Sequence, residues 1–424
     1  MILDTVTLMI ADHIFTPDGF VTGEAVVFDR AIRAVGAPDV LAERFPDARI
    51  VRMPPHTVVL PGLINPHVHL EFSANRSDLS YGDFMAWLHS VIEHRETLIE
   101  RCDDATMAAA LEDMLASGIT TVGAISSYGS DLEACKRAPQ RVVFFCELIG
   151  SSAQMADALY GDFHERLLRA QAARPDERIT PAVAIHAPYS VHPVILRKAL
   201  ALAREHKLPL STHFLESPAE REWLEEHTGG FLGFFQRFFG SNRAVTTVEE
   251  FVEAFDGYPS LFVHATQTTP HERKHLNAQG HTIVHCPRSN RLLGCGRLPI
   301  EEVEHLAVAT DGLSSNWSLS LWDELRAALM MHFRGPLEAM SERLLRSVTI
   351  DAARALGSDA GRIAPDAPAD LIAVVLPDAV PDPKQLALQT ILHAHKAHAV
   401  FIDGEEQEIK QEVARSVVDN RLRV

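Results

Sequence analysis

Residues 59–73 read VLPGLINPHVHLEFS, an apolar strand pattern that runs straight into a pair of histidines. The run TVVLPGLIN (57–65) has the continuous apolar character of a strand buried on both faces. His67 and His69 stand two residues apart at its end, and on extended backbone residues i and i+2 share a face. Neutral imidazole is the commonest metal ligand near physiological pH. The chain carries 22 histidines, so the spacing alone is a weak signal. It gains weight if other strands deliver histidines or carboxylates to the same edge.

Seven further strand-like runs follow: ITTVGAIS (119–126), RVVFFCELI (141–149), PAVAIHAP (181–188), LPLSTHFLE (208–216), SLFVHATQ (260–267), HTIVHCP (281–287) and HLAVATDG (305–312). Helical spacing lies between most of them. Phe84, Trp87, Leu88, Val91 and Ile92 fall on one helix face, as do Met107, Leu111, Met114 and Leu115, with Gly118 placed to end that helix. Eight buried strands with helical crossovers predict an α/β fold, a (β/α)8 TIM-type barrel, over residues 57–360. Residues 1–56 and 361–424 have a different texture. Short β-like runs such as TVTLMIAD, GEAVVFD, ADLIAVVLP and AHAVFIDGE are punctuated by Gly and Asp. They predict one small β-sandwich lobe built from both termini.

Composition narrows the class. A chain of 424 residues, 46% hydrophobic and 23% charged, is ordinary for a soluble globular enzyme. The formal net charge is −18 and no basic stripe is visible, which argues against nucleic acid and anionic membranes as partners. Five cysteines without a CxxC give no disulfide framework or zinc knuckle. The N-terminal stretch lacks a basic n-region, and no apolar run is long enough to span a bilayer. A cytoplasmic protein is expected, and base rates favour a homodimer.

In such a barrel the active site lies at the C-terminal strand ends. There the sequence places His67 and His69, then His186, His213 with Glu216, His264, His285 and Asp311. Any one of these is more often a packed or hydrogen-bonded residue than a ligand. Asp311, in ATDG, also fits a plain Asp-Gly turn.

PGLINPHVHLEF, STHFLE, VHATQ, HCPRSN and ATDGLSSNWSL, in this order, resemble the amidohydrolase superfamily, in its cytosine/adenosine deaminase and chlorohydrolase-like branch. GRIAPDAPADLIAVV (361–375) resembles the return of that family's chain into its β-lobe. The resemblance implies one divalent metal, zinc first and Fe or Mn as alternatives, held by His67, His69, His213 and Asp311. It implies catalytic roles for Glu216 as proton shuttle, His264 beside the metal-bound water, and Asp311 as acceptor of that water's proton. The two-metal members carry a carboxylated lysine at the end of strand 4. AVAIHAPYS offers none, which favours a mononuclear centre. His186 could meet a sugar hydroxyl or a carboxylate, and His285 could line the pocket or orient a loop. Glu71 and Ser73 could reach substrate, or Glu71 could anchor a loop. The Phe-rich run FLGFFQRFF (231–239) reads as a buried or lid helix whose bulk could cover an aromatic part of the substrate.

LEFSANRSDLSYGDFMAWLHSVIEHRE (70–96) resembles a narrower group, the aminodeoxyfutalosine deaminases of the futalosine route to menaquinone. That resemblance implies a purine nucleoside substrate, 6-aminodeoxyfutalosine, with a benzoate-bearing tail on the 5′ side of the sugar. A cation should meet the benzoate, and Arg76 and Arg288 are the candidates. Deamination of S-adenosylhomocysteine, methylthioadenosine or adenosine is the alternative. A non-catalytic scaffold on the same fold is a distant third.

Overall fold

The computed structural model describes residues 5–75, 77–173 and 178–409. Eight parallel strands form the central sheet: Leu63–Val68 (β1), Ile119–Ser126 (β2), Arg141–Leu148 (β3), Ile179–Ile185 (β4), Leu210–Phe214 (β5), Leu261–His264 (β6), Thr282–His285 (β7) and Leu306–Val308 (β8). They pair in sequence order from β1 to β8, with helices between most of them. The sheet curls into a nearly closed TIM-type barrel. Its seam, between β8 and β1, is bridged mainly by side chains: Asn65 Nδ2 donates to Thr310 Oγ1 (2.7 Å), and Thr310 N–H donates to Asn65 Oδ1 (3.2 Å). The Asp311 N–H then donates to the His67 carbonyl (3.2 Å), so the two ends of the sheet meet at the future site.

The continuous apolar runs are explained by burial on both sides. One set of side chains, including Ile64, Phe145, Ala184, Val263, Val284 and Ala307, fills the barrel interior. The opposite set, including Val122, Phe144, Val183 and Phe262, packs beneath the helices. Close strand approach demands glycine at 123, where a Cβ would sit 2.3 Å from the Pro66 carbonyl oxygen. The helices begin where short acceptors allow. Asp83 caps Phe84–Arg101 through the Ala86 N–H, and Asp103 caps Asp104–Ala116 through the Thr106 N–H.

The expected first strand, 57–65, is two strands. Thr57–Pro61 leaves the barrel and pairs with Leu371–Val375 and His13–Thr16 in a six-stranded lobe sheet. The break falls at Gly62, where any Cβ would overlap the Thr120 side chain, 2.0 Å from its Oγ1. A second, four-stranded lobe sheet is wholly N-terminal, made of Thr7–Ile10, Ala25–Phe28, Ile32–Gly36 and Arg49–Arg52. The two sheets enclose a core of Met9, Ile14, Phe28, Val59, Leu371 and Phe401, so both termini contribute to the sandwich. The hairpin His13–Thr16 with Gly19–Thr22 was not evident from the alternation of short runs. Among the described residues no helix is long and apolar enough to cross a membrane, and all five cysteines are buried and free.

Candidate active site

The C-terminal strand ends bring four expected ligands together. His67, inside β1, and His69, one residue past it, put their rings 4.9 Å apart. His69 Nε2 lies 3.2 Å from His213 Nε2, and Asp311 Oδ1 lies 3.6 Å from His67 Nε2 and 3.7 Å from His69 Nε2. The tautomer of His213 follows from its partner. Its Nδ1 is 2.9 Å from the His186 carbonyl, which can only accept, so the proton is on Nδ1 and the Nε2 lone pair faces His69. Both ring nitrogens of His67 are buried with no hydrogen-bond partner. Buried polar atoms are almost always paired. Converging lone pairs, an orphaned imidazole and one carboxylate are what a divalent ion with N/O ligands requires, so these residues fit the implied metal.

Asp311 is fixed from several sides. Its Oδ2 accepts from Ser289 Oγ (2.8 Å) and Ser315 Oγ (2.7 Å), and its Oδ1 from the Gly312 N–H (2.8 Å). Burial pushes its carboxyl up, but the nearby imidazoles of His67, His69 and His264 outweigh burial and hold it well below the usual range. It adopts φ 57°, a left-handed conformation that aspartate tolerates better than most residues. Gly312 follows because a Cβ there would meet the His69 Cβ at 2.9 Å. The Asp-Gly pair is thus both a turn and a site element. Burial, with the neighbouring imidazoles, lowers His69 to about 3 and His213 well below its ordinary value, keeping both neutral.

Glu216 and His264 face the cluster. His264 Nε2 is 3.5 Å from Glu216 Oε1 and has no hydrogen-bond partner. Its Nδ1 lies 2.8 Å from Asn290 Oδ1. The amide group of Asn290 is 3.3 Å from His285 Nδ1, which leaves its oxygen to accept from His264. His264 Nε2 therefore carries a lone pair directed at Glu216. Glu216 is buried, and burial first, then the charges of Asp311 and Glu220, pushes its carboxyl well above the usual range. Its backbone is set by Glu220, whose carboxylate accepts from the N–H groups of Leu215 (3.1 Å) and Glu216 (2.8 Å). Leu215 and His264 both have positive φ, so local strain accumulates at this edge.

A cavity of about 390 Å³ opens above the cluster. That volume suits a small-molecule ligand. Its floor includes His69, Glu147, His186, His213, Glu216, His264 and Asp311. Its wall is aromatic and apolar, with Phe84, Trp87, Leu88 and Val91 from helix Phe84–Arg101 and Phe234, Phe235 and Phe239 from helix Gly229–Phe239. The Phe-rich run is thus a covering helix, anchored by Phe235 stacked on Trp223 (4.8 Å).

The other expected contacts divide. His186 lines the cavity, its Nδ1 2.5 Å from Ser190 Oγ, and burial lowers it to about 4. Glu71 and Ser73 do not line it. The Glu71 carboxylate is filled by the N–H groups of Ser127, Tyr128 and Ser130 and by the Ser130 hydroxyl, so it anchors that loop. Ser73 is buried against the first turn after β1. His285 lies behind the site, bridging Asn290 and His332 (3.0 Å). Arg288 is also displaced from its expected role. It is 3% exposed, with its Nε committed to Glu324 (2.6 Å), its Nη2 to the Ser318 and Ser320 carbonyls, its Nη1 to Ser318 Oγ (2.9 Å) and Asp323 (3.5 Å), and its face to the Trp317 ring, so no donor is left for a substrate tail. Arg76 lies outside the described residues.

Sequence reading missed Glu147 and Tyr128, and it gave Asn290 no part beside His264. Glu147 is buried at the end of β3, where Ser127 Oγ donates to its Oε2 (2.5 Å), and its Oε1 lies 3.8 Å from His213 Nδ1. Burial pushes it up to about 7. The signal was available, because RVVFFCEL also ends a barrel strand on a titratable residue.

A TIM-type barrel whose strand ends converge three histidines and an aspartate defines a metal-dependent hydrolase class. The chain belongs to the Amidohydrolase family, which it matches over residues 58–406. It is 42% identical over 395 residues to the aminodeoxyfutalosine deaminase of a Nitratiruptor species, covering 93% of this chain and 97% of that one. Its structure is similar to Helicobacter pylori aminofutalosine deaminase in complex with methylthio-coformycin, with a TM-score of 0.89, 32% identity, and coverage of 95% of this chain and 100% of that one. An adenosine deaminase from Xanthomonas campestris with bound zinc aligns with a TM-score of 0.77 at 25% identity, covering 96% of this chain and 93% of that one.

Proposed function

We propose that this chain is a metal-dependent hydrolytic deaminase of an adenine nucleoside, with 6-aminodeoxyfutalosine as substrate and ammonia as leaving group. One observation carries the reaction class: Glu216 and the unpartnered Nε2 of His264 face the His67, His69, His213 and Asp311 cluster at the floor of an aromatic cavity. Those four residues would hold one divalent ion, and zinc suits the donor set, as Fe(II) or Mn(II) would. When bound, such an ion lowers the pKa of water toward 7 and so supplies a nucleophile at neutral pH. A second centre at Glu147, His186 and His213 is disfavoured, because His213 Nδ1 is already committed to a carbonyl.

Glu216 is the proton carrier. Its raised pKa keeps a proton available for a ring nitrogen of the purine, which makes the adjacent carbon electrophilic. Asp311, held as a carboxylate, accepts a proton from the attacking water. His264, locked by Asn290, orients the attack. Glu216 gives its proton to the ring nitrogen as the water oxygen adds to the ring carbon. The emptied carboxylate then takes the proton left on that oxygen and hands it to the departing amine as the bond to the exocyclic nitrogen breaks, and the proton held by Asp311 returns to Glu216 for the next turnover.

The identity to the Nitratiruptor enzyme across nearly both full lengths supports the benzoate-tailed substrate, and with it a place in the futalosine route to menaquinone. Five free thiols suit a reducing cytoplasm. The runner-up, deamination of adenosine or methylthioadenosine, uses the same floor and is favoured by the similarity to the Xanthomonas enzyme. Ammonia release measured side by side on 6-aminodeoxyfutalosine, methylthioadenosine and adenosine separates them. Preference for a thioether nucleoside would overturn the substrate. Release from none of them by metal-loaded protein would overturn the reaction.

A further inference from the structure

Helix Phe84–Arg101 turns one stripe toward the cavity, with Phe84, Trp87, Leu88 and Val91 at i, i+3, i+4 and i+7. Arg95 is the next residue on that stripe, four positions past Val91 and so about 6 Å further out along the helix. Its guanidinium carbon lies 5.2 Å from the centroid of the Tyr128 ring, and Tyr128 itself lines the cavity. Arg95 is exposed, and no carboxylate of a described residue forms an ion pair with it. Among the described residues the cavity wall has no lysine or arginine of its own. An unneutralised cation therefore stands at the rim of an aromatic cavity, in a chain whose net charge of −18 would otherwise repel an anion.

The arrangement is built. Glu71 takes the N–H groups of Ser127, Tyr128 and Ser130, which pins the loop that carries the Tyr128 ring. A guanidinium seated on a ring face is held by cation–π attraction and keeps in-plane N–H donors for a carboxylate. The carboxylate of an aromatic acid would reach those donors while its ring lay along the Phe and Trp wall. We infer that Arg95, seated on Tyr128, is the specificity residue that receives the carboxylate of the substrate's aromatic tail, and that Glu71 is its positioning residue. The inference rests on the deaminase reading above.

The test compares 6-aminodeoxyfutalosine with its benzoate methyl ester, which removes the charge and keeps the ring. Wild type should favour the acid in kcat/KM by roughly tenfold or more, the scale of a hydrogen-bonded pair with a charged group. In Arg95→Gln the acid-to-ester ratio should collapse toward one, through KM, and Arg95→Lys should restore part of it. The ratio is read within one protein sample, so partial misfolding does not blur it. Arg76→Gln should keep the wild-type ratio. An unchanged ratio in Arg95→Gln would overturn the inference, as would equal turnover of acid and ester by wild type. Collapse in Arg76→Gln alone would move the role to that residue. Failure of wild type to deaminate either compound would instead strike the underlying deaminase reading.

Discussion

The floor of the cavity is made of histidines and carboxylates held by buried hydrogen bonds, whereas its wall is made of aromatic side chains held by packing. His213, His264, Glu216 and Asp311 are each fixed in part by a carbonyl, an amide, a carboxylate or a hydroxyl from another element. Trp87, Leu88 and Phe234 are fixed only by neighbours of similar polarity, apart from the Trp87 indole N–H to the Ser314 carbonyl (2.8 Å). A buried polar group bears its full desolvation cost, uncompensated, once its partner is removed, so the floor is intolerant of change. Apolar packing degrades more gradually, so the wall is where substrate preference can vary over a constant chemistry.

That contrast can be broken at several points, beginning with the floor. Chelation should abolish ammonia release. Added divalent ion should restore it to wild type, while His213→Ala stays inactive with a low metal content by elemental analysis. Glu216→Gln should lower kcat by about 10²–10⁴-fold, the range for loss of a general acid–base group, with the metal still bound. Outside both regions, Arg288→Ala should destabilise the fold by about 3–5 kcal/mol in urea unfolding, because it strands the fully buried Glu324. The same variant should keep the acid-to-ester ratio, and its loss would return Arg288 to the substrate. On the wall, Trp87→Ala should raise KM by about tenfold, with a smaller change in kcat.

The smallest effect concerns pH. His281 is away from the cavity, its Nδ1 accepts from the Ser260 N–H (3.1 Å), and burial lowers it to about 4. Between that value and its ordinary 6.5 the unfolded chain binds the proton and the folded chain does not. Stability from this group is therefore complete above pH 6.5 and lost as pH falls toward 4. In His281→Asn, which keeps an acceptor, the difference in urea midpoint between pH 7 and pH 5 should shrink.

Much of the floor was legible because barrel sites lie at strand ends, and strand ends can be read locally. The runs ending in HVH, THFLE, FVHA and ATDG place His67, His69, His213, Glu216, His264 and Asp311 without any knowledge of packing. The same rule would have reached Glu147. The residues between floor and surface were not legible in this way. Glu71 and Arg288 look like free charged groups in sequence, yet one is filled by a loop 56–59 residues away and the other by a glutamate 36 residues on. The split of 57–65 into a lobe strand and a barrel strand was hidden too, since both halves are equally apolar and what separates them is distant partners: the Gly62 N–H donates to the Asp370 carbonyl of the lobe and the Leu63 N–H to the Gly118 carbonyl of the barrel.

By itself the sequence determined the barrel, the β-lobe and the row of histidines and carboxylates at the strand ends, because strand periodicity and strand-end chemistry are properties of a few adjacent residues; the choice of four of them as ligands came from the family resemblance. Only the tertiary structure decided which charged groups remain free to meet a substrate. Burial and pairing depend on partners that are distant in the chain, and they spent Glu71 and Arg288 on the scaffold while leaving Arg95 exposed at the rim.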